Sequence, residues 1–163
     1  MHTLIVILGA NRGNILQTFE NVRNEMHHTI GNIILQSSVF ESEPWGFDDS
    51  HFFFNKLLII TTTLSPHECL HQCLHIESLH GRERSSFHGY ESRTIDIDIL
   101  YYDSQIIDSE TLTIPHPYIQ NRKFVLLPLV ECVPDFIHPI LQKTQLELLA
   151  ACTDTRKVKK HNI

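Results

Sequence analysis

Eight consecutive residues constrain this chain more than any others: Arg93-Thr94-Ile95-Asp96-Ile97-Asp98-Ile99-Leu100. Apolar and polar residues alternate and the apolar ones are β-branched, so the stretch reads as a strand. Side chains two apart on a strand share a face. Ile95, Ile97 and Ile99 therefore face a core, and Asp96 and Asp98 lie together on the other side. Their Cα atoms are roughly 6.5–7 Å apart. Two carboxylates so placed repel each other unless a cation sits between them, and the spacing suits a hard ion such as Mg²⁺ held together with substrate phosphates. A solvated acidic face on an antiparallel sheet fits the same eight residues. On the strand alone both readings stand.

The rest of the chain supplies a frame for that strand. Thr3–Leu8 is a continuous aliphatic run and reads as a buried strand. Gly9-Ala10-Asn11-Arg12-Gly13-Asn14 is a turn that lacks the spacing of the common phosphate loops. Ile15, Phe19, Val22 and Met26 recur at helical spacing, and Gly31 stands where that helix ends. Ile33–Glu41 reads as a second strand. After a loop with the only tryptophan, Phe52–Leu64 reads as a long strand with Phe53, Asn55, Leu57 and Ile59 on one face. Ser65-Pro66 opens a helix that runs to about His80, closed by Gly81. Gly81–Ser92 is polar, basic and aperiodic, which predicts a mobile loop feeding the Asp-x-Asp strand. Asp103-Ser104-Gln105 then turns the chain into a short return strand, Ile106-Ile107. Leu112–Arg122 reads as loop, and Phe124–Val130 and Gln145–Cys152 as short helices. The order β-α-β-β-α-β predicts an α+β, ferredoxin-like plan with C-terminal additions. Its sheet is antiparallel, with helices on one face and the other face free to carry a site. A single domain over residues 1–163 is expected, with about 153–163 a basic tail left to fray.

Charge and composition exclude several partners. The formal net charge of −6 disfavours nucleic acid, which selects a basic surface. No apolar run approaches the ~18 residues of a membrane span. Met1-His2-Thr3-Leu4 has no basic leader character, and Cys69, Cys73, Cys132 and Cys152 are too sparse for a disulfide framework. A cytoplasmic, monomeric protein with reduced thiols is expected.

Three chemistries compete for the motifs. An RNA-recognition module has the same order of elements, but it needs stacking aromatics on its first strand, and Leu4-Ile5-Val6-Ile7-Leu8 has none. His67-Glu68-Cys69-Leu70-His71 matches the zinc-hydrolase pattern H-E-x-x-H, with His75 one turn further. Ser65-Pro66 nevertheless places His67 in a first helical turn, where Glu68 serves the helix dipole, and a solvated helical face accounts for the run. Metal-assisted phosphoryl transfer needs carboxylates for the cations and positive groups around the phosphates. Asp96 and Asp98 supply the first; Arg82, Arg84 and Arg93 before them, and His116 and Arg122 after, supply the second.

The Arg93–Leu100 strand, followed by Ile114-Pro115-His116-Pro117 and by Asn121-Arg122-Lys123-Phe124-Val125-Leu126-Leu127-Pro128-Leu129, resembles the 6-hydroxymethyl-7,8-dihydropterin pyrophosphokinases of folate biosynthesis. The resemblance runs from Gly9-x-Asn11 to about Asp135. It implies transfer of the β,γ-pyrophosphoryl group of ATP to the pterin hydroxymethyl oxygen, with release of AMP. It also implies that Asp96 and Asp98 hold two Mg²⁺ ions, that Asn55 bonds the pterin edge, and that Phe53 and Phe124 sandwich the ring. By the same resemblance Ser42, Pro44, Trp45 and Gly46 fall on the pterin loop. Arg82, Arg84 and Arg93 surround the phosphates, with His116 and Arg122 further phosphate-side positions. Glu77, Ile99 and Thr113 fall on the nucleotide side. Where the family often has Trp-Gly-Pro-Arg, this chain has Tyr90-Glu91-Ser92-Arg93, with Gly89 in place of a common basic residue. Leu74 and Thr111 stand where some members have Gln and Arg. These differences touch the nucleotide side; the metal and pterin sets are intact.

Overall fold

The computed structural model describes residues 1–43, 52–81 and 94–161. The main sheet is built around β1 (His2–Ala10), which pairs antiparallel with β4 (Phe53–Thr62) on one edge and with β5 (Asp96–Tyr102) on the other. On the far edge of β4 lie both β2 (Gly31–Gln36) and β3 (Phe40–Ser42). The predicted second strand is thus divided in two. Ser37 makes the break: its amide donates to the Leu57 carbonyl at 3.0 Å and its Oγ accepts from the Leu57 amide at 2.8 Å, so a side chain takes a place in the ladder.

Helices α1 (Ile15–Thr29) and α2 (Pro66–Leu79) pack on one face of this sheet. Asn14 caps α1 by accepting from the Gln17 amide. Ser65 and Glu68 close a reciprocal capping box on α2, and Gly81, at φ 78°, takes the left-handed conformation just past its end. Phe19, Val22 and Met26 of α1 and Cys69, Cys73 and Ile76 of α2 enclose Leu4, Val6, Leu8, Leu58 and Ile60. Ile95, Ile97 and Ile99 point into this core, as their alternation requires.

The second face, expected to be free, is largely covered. Helices α3 (Lys123–Cys132) and α4 (Gln145–Ala151) place Val125, Leu126, Leu129 and Leu148 on Ile5, Ile7, Leu57 and Ile59. Coverage on both faces is why the whole Leu4–Leu8 run is buried. A bulge in β5 helps. Val6 pairs with Ile99 and Ile5 with Tyr101, so Leu100 is the extra residue, and Leu100 and Tyr101 both reach the second core. The fully buried Gln145 amide donates to the Tyr101 hydroxyl at 2.9 Å, which ties α4 to the sheet.

The short return strand expected at Ile106-Ile107 is β6 (Ile107–Asp108), and it pairs in a small separate sheet with β7 (Thr113–Ile114). β7 lies in the segment read as loop, together with a single turn of 3-10 helix at Ile119–Asn121. The basic tail, expected to fray, forms β8 (Val158–Lys160) and pairs antiparallel with β3. Its lysines find carboxylates: Lys160 Nζ lies 2.8 Å from Glu131 and Lys159 Nζ 3.8 Å from Glu41. No helix among the described residues is long and apolar enough to cross a membrane.

Gly31 follows the Ile30 cap of α1 and runs hard against β4. A Cβ there would lie 1.9 Å from the Thr61 carbonyl oxygen, which is backbone and cannot swing aside. Gly31→Ala is expected to destabilise the protein by about 2 kcal/mol or more, as overpacking does, read as a lower urea midpoint at unchanged m-value.

Candidate active site

Where α3 and α4 leave the second face uncovered, the sheet carries a cleft. Asp96 and Asp98 enter it from β5, Phe53 and Asn55 from β4, Ser42 from the end of β3, and Phe124 from the first turn of α3. Ile7, Gly9 and Glu43 complete the lining. The register explains the convergence. Gly9 pairs with Asn55 on one edge of β1 and with Asp96 on the other, and Ile7 pairs with Asp98. The amide side chain and the two carboxylates therefore stand on neighbouring strands at one level of the sheet. Gly9 is also a space-maker, since a Cβ there would lie 3.1 Å from Asn55 Oδ1.

Asn55 and Ser42 are both buried, and the Asn55 side-chain nitrogen donates to Ser42 Oγ at 3.3 Å. The pair holds a preset hydrogen-bonding edge, with Phe53 and Phe124 as flat apolar walls. Asp96 and Asp98 are half-buried. Between them the Ile97 amide donates to the Glu77 carboxylate at 2.8 Å. Glu77 is only 5% exposed; that bond gives its buried carboxyl group a partner and braces the strand from α2. It does not line the cleft itself. Ile99 likewise points into the helix-covered core, and Thr113 lies exposed on β7.

His116 and Arg122 reach the cleft through a chain of rings. The Arg122 guanidinium lies 5.2 Å from the centre of the Tyr118 ring and 5.7 Å from that of Phe124, and the Tyr118 ring meets the His116 ring edge-on at 5.8 Å. The Tyr118 amide donates to His116 Nδ1 at 3.2 Å. An amide can only donate, so Nδ1 is unprotonated and the neutral ring carries its proton on Nε2. Burial pushes the His116 pKa down to about 4, with the Arg122 charge acting the same way and Asp96 opposing both. At neutral pH the residue is a fixed, uncharged N–H donor.

Of the residues expected in the site, Pro44, Trp45, Gly46, Arg82, Arg84 and Arg93 lie outside the described residues, as does all but the first residue of the predicted Gly81–Ser92 loop. Sequence reasoning missed Ile7, Gly9 and Glu43 in the lining, and Tyr118 beside Arg122. A signal existed for the first two. They continue the Ile5 face of β1, and a glycine ending an aliphatic strand marks a close approach. The H-E-x-x-H run is a helix start: the Glu68 carboxylate accepts the Ser65 amide at 2.7 Å, and His67, His71 and His75 are exposed. Cys69 and Cys73 are core residues. Among the described residues no group of three or more His, Cys, Asp or Glu side chains converges on a metal position.

A sequence profile described as 7,8-dihydro-6-hydroxymethylpterin-pyrophosphokinase (HPPK) matches residues 5–134. The chain is similar to a 2-amino-4-hydroxy-6-hydroxymethyldihydropteridine pyrophosphokinase of Methylorubrum extorquens, 36% identical over 131 residues that cover 80% of this chain and 82% of the relative. A protein of the same description from Aquifex aeolicus is 36% identical over 147 residues, 88% of each chain. The folic acid synthesis protein FOL1 of Dictyostelium discoideum is 38% identical over 83% of this chain, which spans only 20% of that protein. Among solved structures, an HPPK-DHPS in complex with substrates superposes with a TM-score of 0.74 over 92% of this chain and 43% of its own. The Plasmodium falciparum HPPK-DHPS gives 0.74 over 91% and 44%. At 14% and 17% identity these two likenesses concern the fold.

The His116 shift has a consequence for stability. Its folded pKa of about 4 is below the ordinary 6.5, so the unfolded chain takes up the proton first. The stabilisation is complete above pH 6.5, is lost as pH falls towards 4, and changes no further below that. His116→Gln should flatten the fall in unfolding free energy between pH 6.5 and 4, measured by urea titration across that window.

Proposed function

The chain belongs to the 7,8-dihydro-6-hydroxymethylpterin-pyrophosphokinase family, and from that membership we propose that it transfers the pyrophosphoryl group of ATP to 6-hydroxymethyl-7,8-dihydropterin and releases AMP, a step of folate biosynthesis. One observation carries the reading to this chain's own residues: a flat slot with a hydrogen-bonding edge opens directly onto a pair of carboxylates. The slot suits a planar heterocycle. The carboxylates stand where the group projecting from that ring would react.

The pterin ring lies between Phe53 and Phe124, where stacking and apolar contact hold it at little entropic cost. Asn55, oriented by Ser42, bonds the ring edge, and the buried polar pair favours a ligand that matches it. Pro44, Trp45 and Gly46 extend the same recognition. The hydroxymethyl oxygen attacks the β-phosphorus in line. A bond forms between them, the bond from the β-phosphorus to the α,β-bridging oxygen breaks, AMP leaves with its electron pair, and the hydroxyl proton is released to solvent. No covalent intermediate on the protein is needed, so the protein contributes alignment and a fixed electrostatic environment.

Asp96 and Asp98 fit a hard divalent cation in donor chemistry: two carboxylate groups on one strand face, with neither thiol nor imidazole in the described lining. They would hold Mg²⁺, two ions arriving with ATP, whose chemistry when bound is to neutralise charge on the triphosphate and the attacking oxygen. Glu77 keeps the strand between them straight from α2. His116 offers its Nε2 proton to a phosphate oxygen without adding charge, and Arg122, Arg82, Arg84 and Arg93 supply the positive charge. Ile99 and Thr113 stand on the nucleotide side. A monomer in the cytoplasm is part of the same proposal.

The test is product analysis with ATP, Mg²⁺ and the reduced pterin. AMP should appear in step with loss of pterin; ADP as the sole nucleotide product would refute the reading. Asp96→Ala and Asp98→Ala should each lower kcat at least ~100-fold while the far-ultraviolet spectrum is unchanged, because the isoleucine face still packs. For Asn55→Ala, pterin affinity should fall by roughly 1–3 kcal/mol, followed through the fluorescence of Trp45, the only tryptophan.

A further inference from the structure

The matched family profile ends at residue 134, yet the segment beyond it bonds to the elements that carry one wall and the polar edge of the cleft. One wall is Phe124, second residue of α3. The amide of the first, Lys123, donates to Asp154 Oδ2 at 3.1 Å. Arg122 precedes the helix and gives it no side-chain cap, so Asp154 supplies from outside the acceptor that the helix start lacks. The Asp154 side chain is 5% exposed and is itself gripped by Arg156, whose Nε and terminal nitrogen lie 2.9 and 2.7 Å from its two oxygens. The polar edge of the slot is Ser42 with Asn55. Four residues after Asp154, β8 begins, and it pairs along β3 so that Val158 faces Ser42, Lys159 faces Glu41 and Lys160 faces Phe40. His161 extends the ladder by donating to the Val39 carbonyl at 2.8 Å. Lys160 returns to α3, meeting Glu131 near the far end of that helix.

We infer that Asp154–His161 is a tether that sets the position of the Phe124 wall relative to the Ser42–Asn55 edge of the pterin slot, with Asp154 a positioning residue for the Phe124 ring. The inference rests on the pterin reading of the cleft. Phe124 and Ser42 belong to elements far apart in sequence, and this short segment bonds to the root of each. Loss of the Asp154 carboxylate frees the first amide of α3 and with it the turn that carries Phe124. Loss of the β8 ladder frees the strand that ends at Ser42. Neither change reaches Asp96 or Asp98, so the tether acts on ring binding and leaves the metal side alone.

The experiment compares Asp154→Ala, Asp154→Asn and Lys159→Pro with the unaltered protein. The proline removes a ladder donor from β8. Pterin Kd is read by fluorescence titration, and KM for pterin, KM for ATP and kcat by AMP release. Asp154→Ala and Lys159→Pro should each weaken pterin binding about fivefold or more, with KM for ATP and kcat within about twofold. Asp154→Asn keeps an acceptor and should fall between. Pterin binding by the unaltered protein is the control: its absence would sink the pterin reading itself, independently of the tether. If the unaltered protein binds and Asp154→Ala and Lys159→Pro bind equally well, the tether is overturned. It is overturned also if both KM values and kcat worsen together in Asp154→Asn, the mildest change, since that is the pattern of general structural loss.

Discussion

Pairing on both edges of β1 is the constraint on which the cleft depends. Gly9 lies opposite Asn55 in β4 and opposite Asp96 in β5, so one register aligns the Asn55 amide with the carboxylates. Side chains alternate with a period of two, and a slip by one residue would send Asp96 and Asp98 into the core beneath α1 and α2. That slip is blocked by burial. Leu4, Val6 and Leu8 fill one core while Ile5 and Ile7 fill the other, so both faces of β1 are committed. The hydrophobic effect that stabilises the fold thereby also positions the site.

Three polar groups near the cleft are each held by a specific partner, which is the usual condition for burying them. Glu77 takes the Ile97 amide, Ser42 takes the Asn55 side chain, and His116 takes the Tyr118 amide. These bonds do more than offset desolvation. They leave one orientation open for each group. The His116 bond fixes the tautomer, and burial fixes the charge, so the ring presents a neutral donor beside the Arg122 cation. A site proposed to receive a highly charged nucleotide gains from parts that need no rearrangement when it arrives.

Much of this was legible in the chain. The alternation in Arg93–Leu100 placed the two aspartates on one face, and the same period in Phe53–Ile59 placed Phe53 and Asn55 together. Ser65-Pro66 explained away the H-E-x-x-H run, and the capping box bears that out. Less visible were the placements that rest on distant partners. Nothing local in Gln145–Ala151 says that it covers the second face, because the decisive contact is a side-chain pair with Tyr101. Nothing local in Val158–Lys160 says strand, because its order comes from β3 and from Glu131. The bulge at Leu100 depends on how β5 meets β1, which no single strand contains.

By itself the sequence determined most of the main elements, their faces and the chemistry they offer, since periodicity, capping and turn chemistry act over a few residues. Tertiary structure decided which of those faces meet. It brought Gly9 between Asn55 and Asp96, turned Glu77 onto the strand, stacked Arg122 on two rings and tied residues 154–161 to α3 and β3. Such contacts join residues tens of positions apart. Their register is set by the packing of two whole cores, which no local pattern encodes.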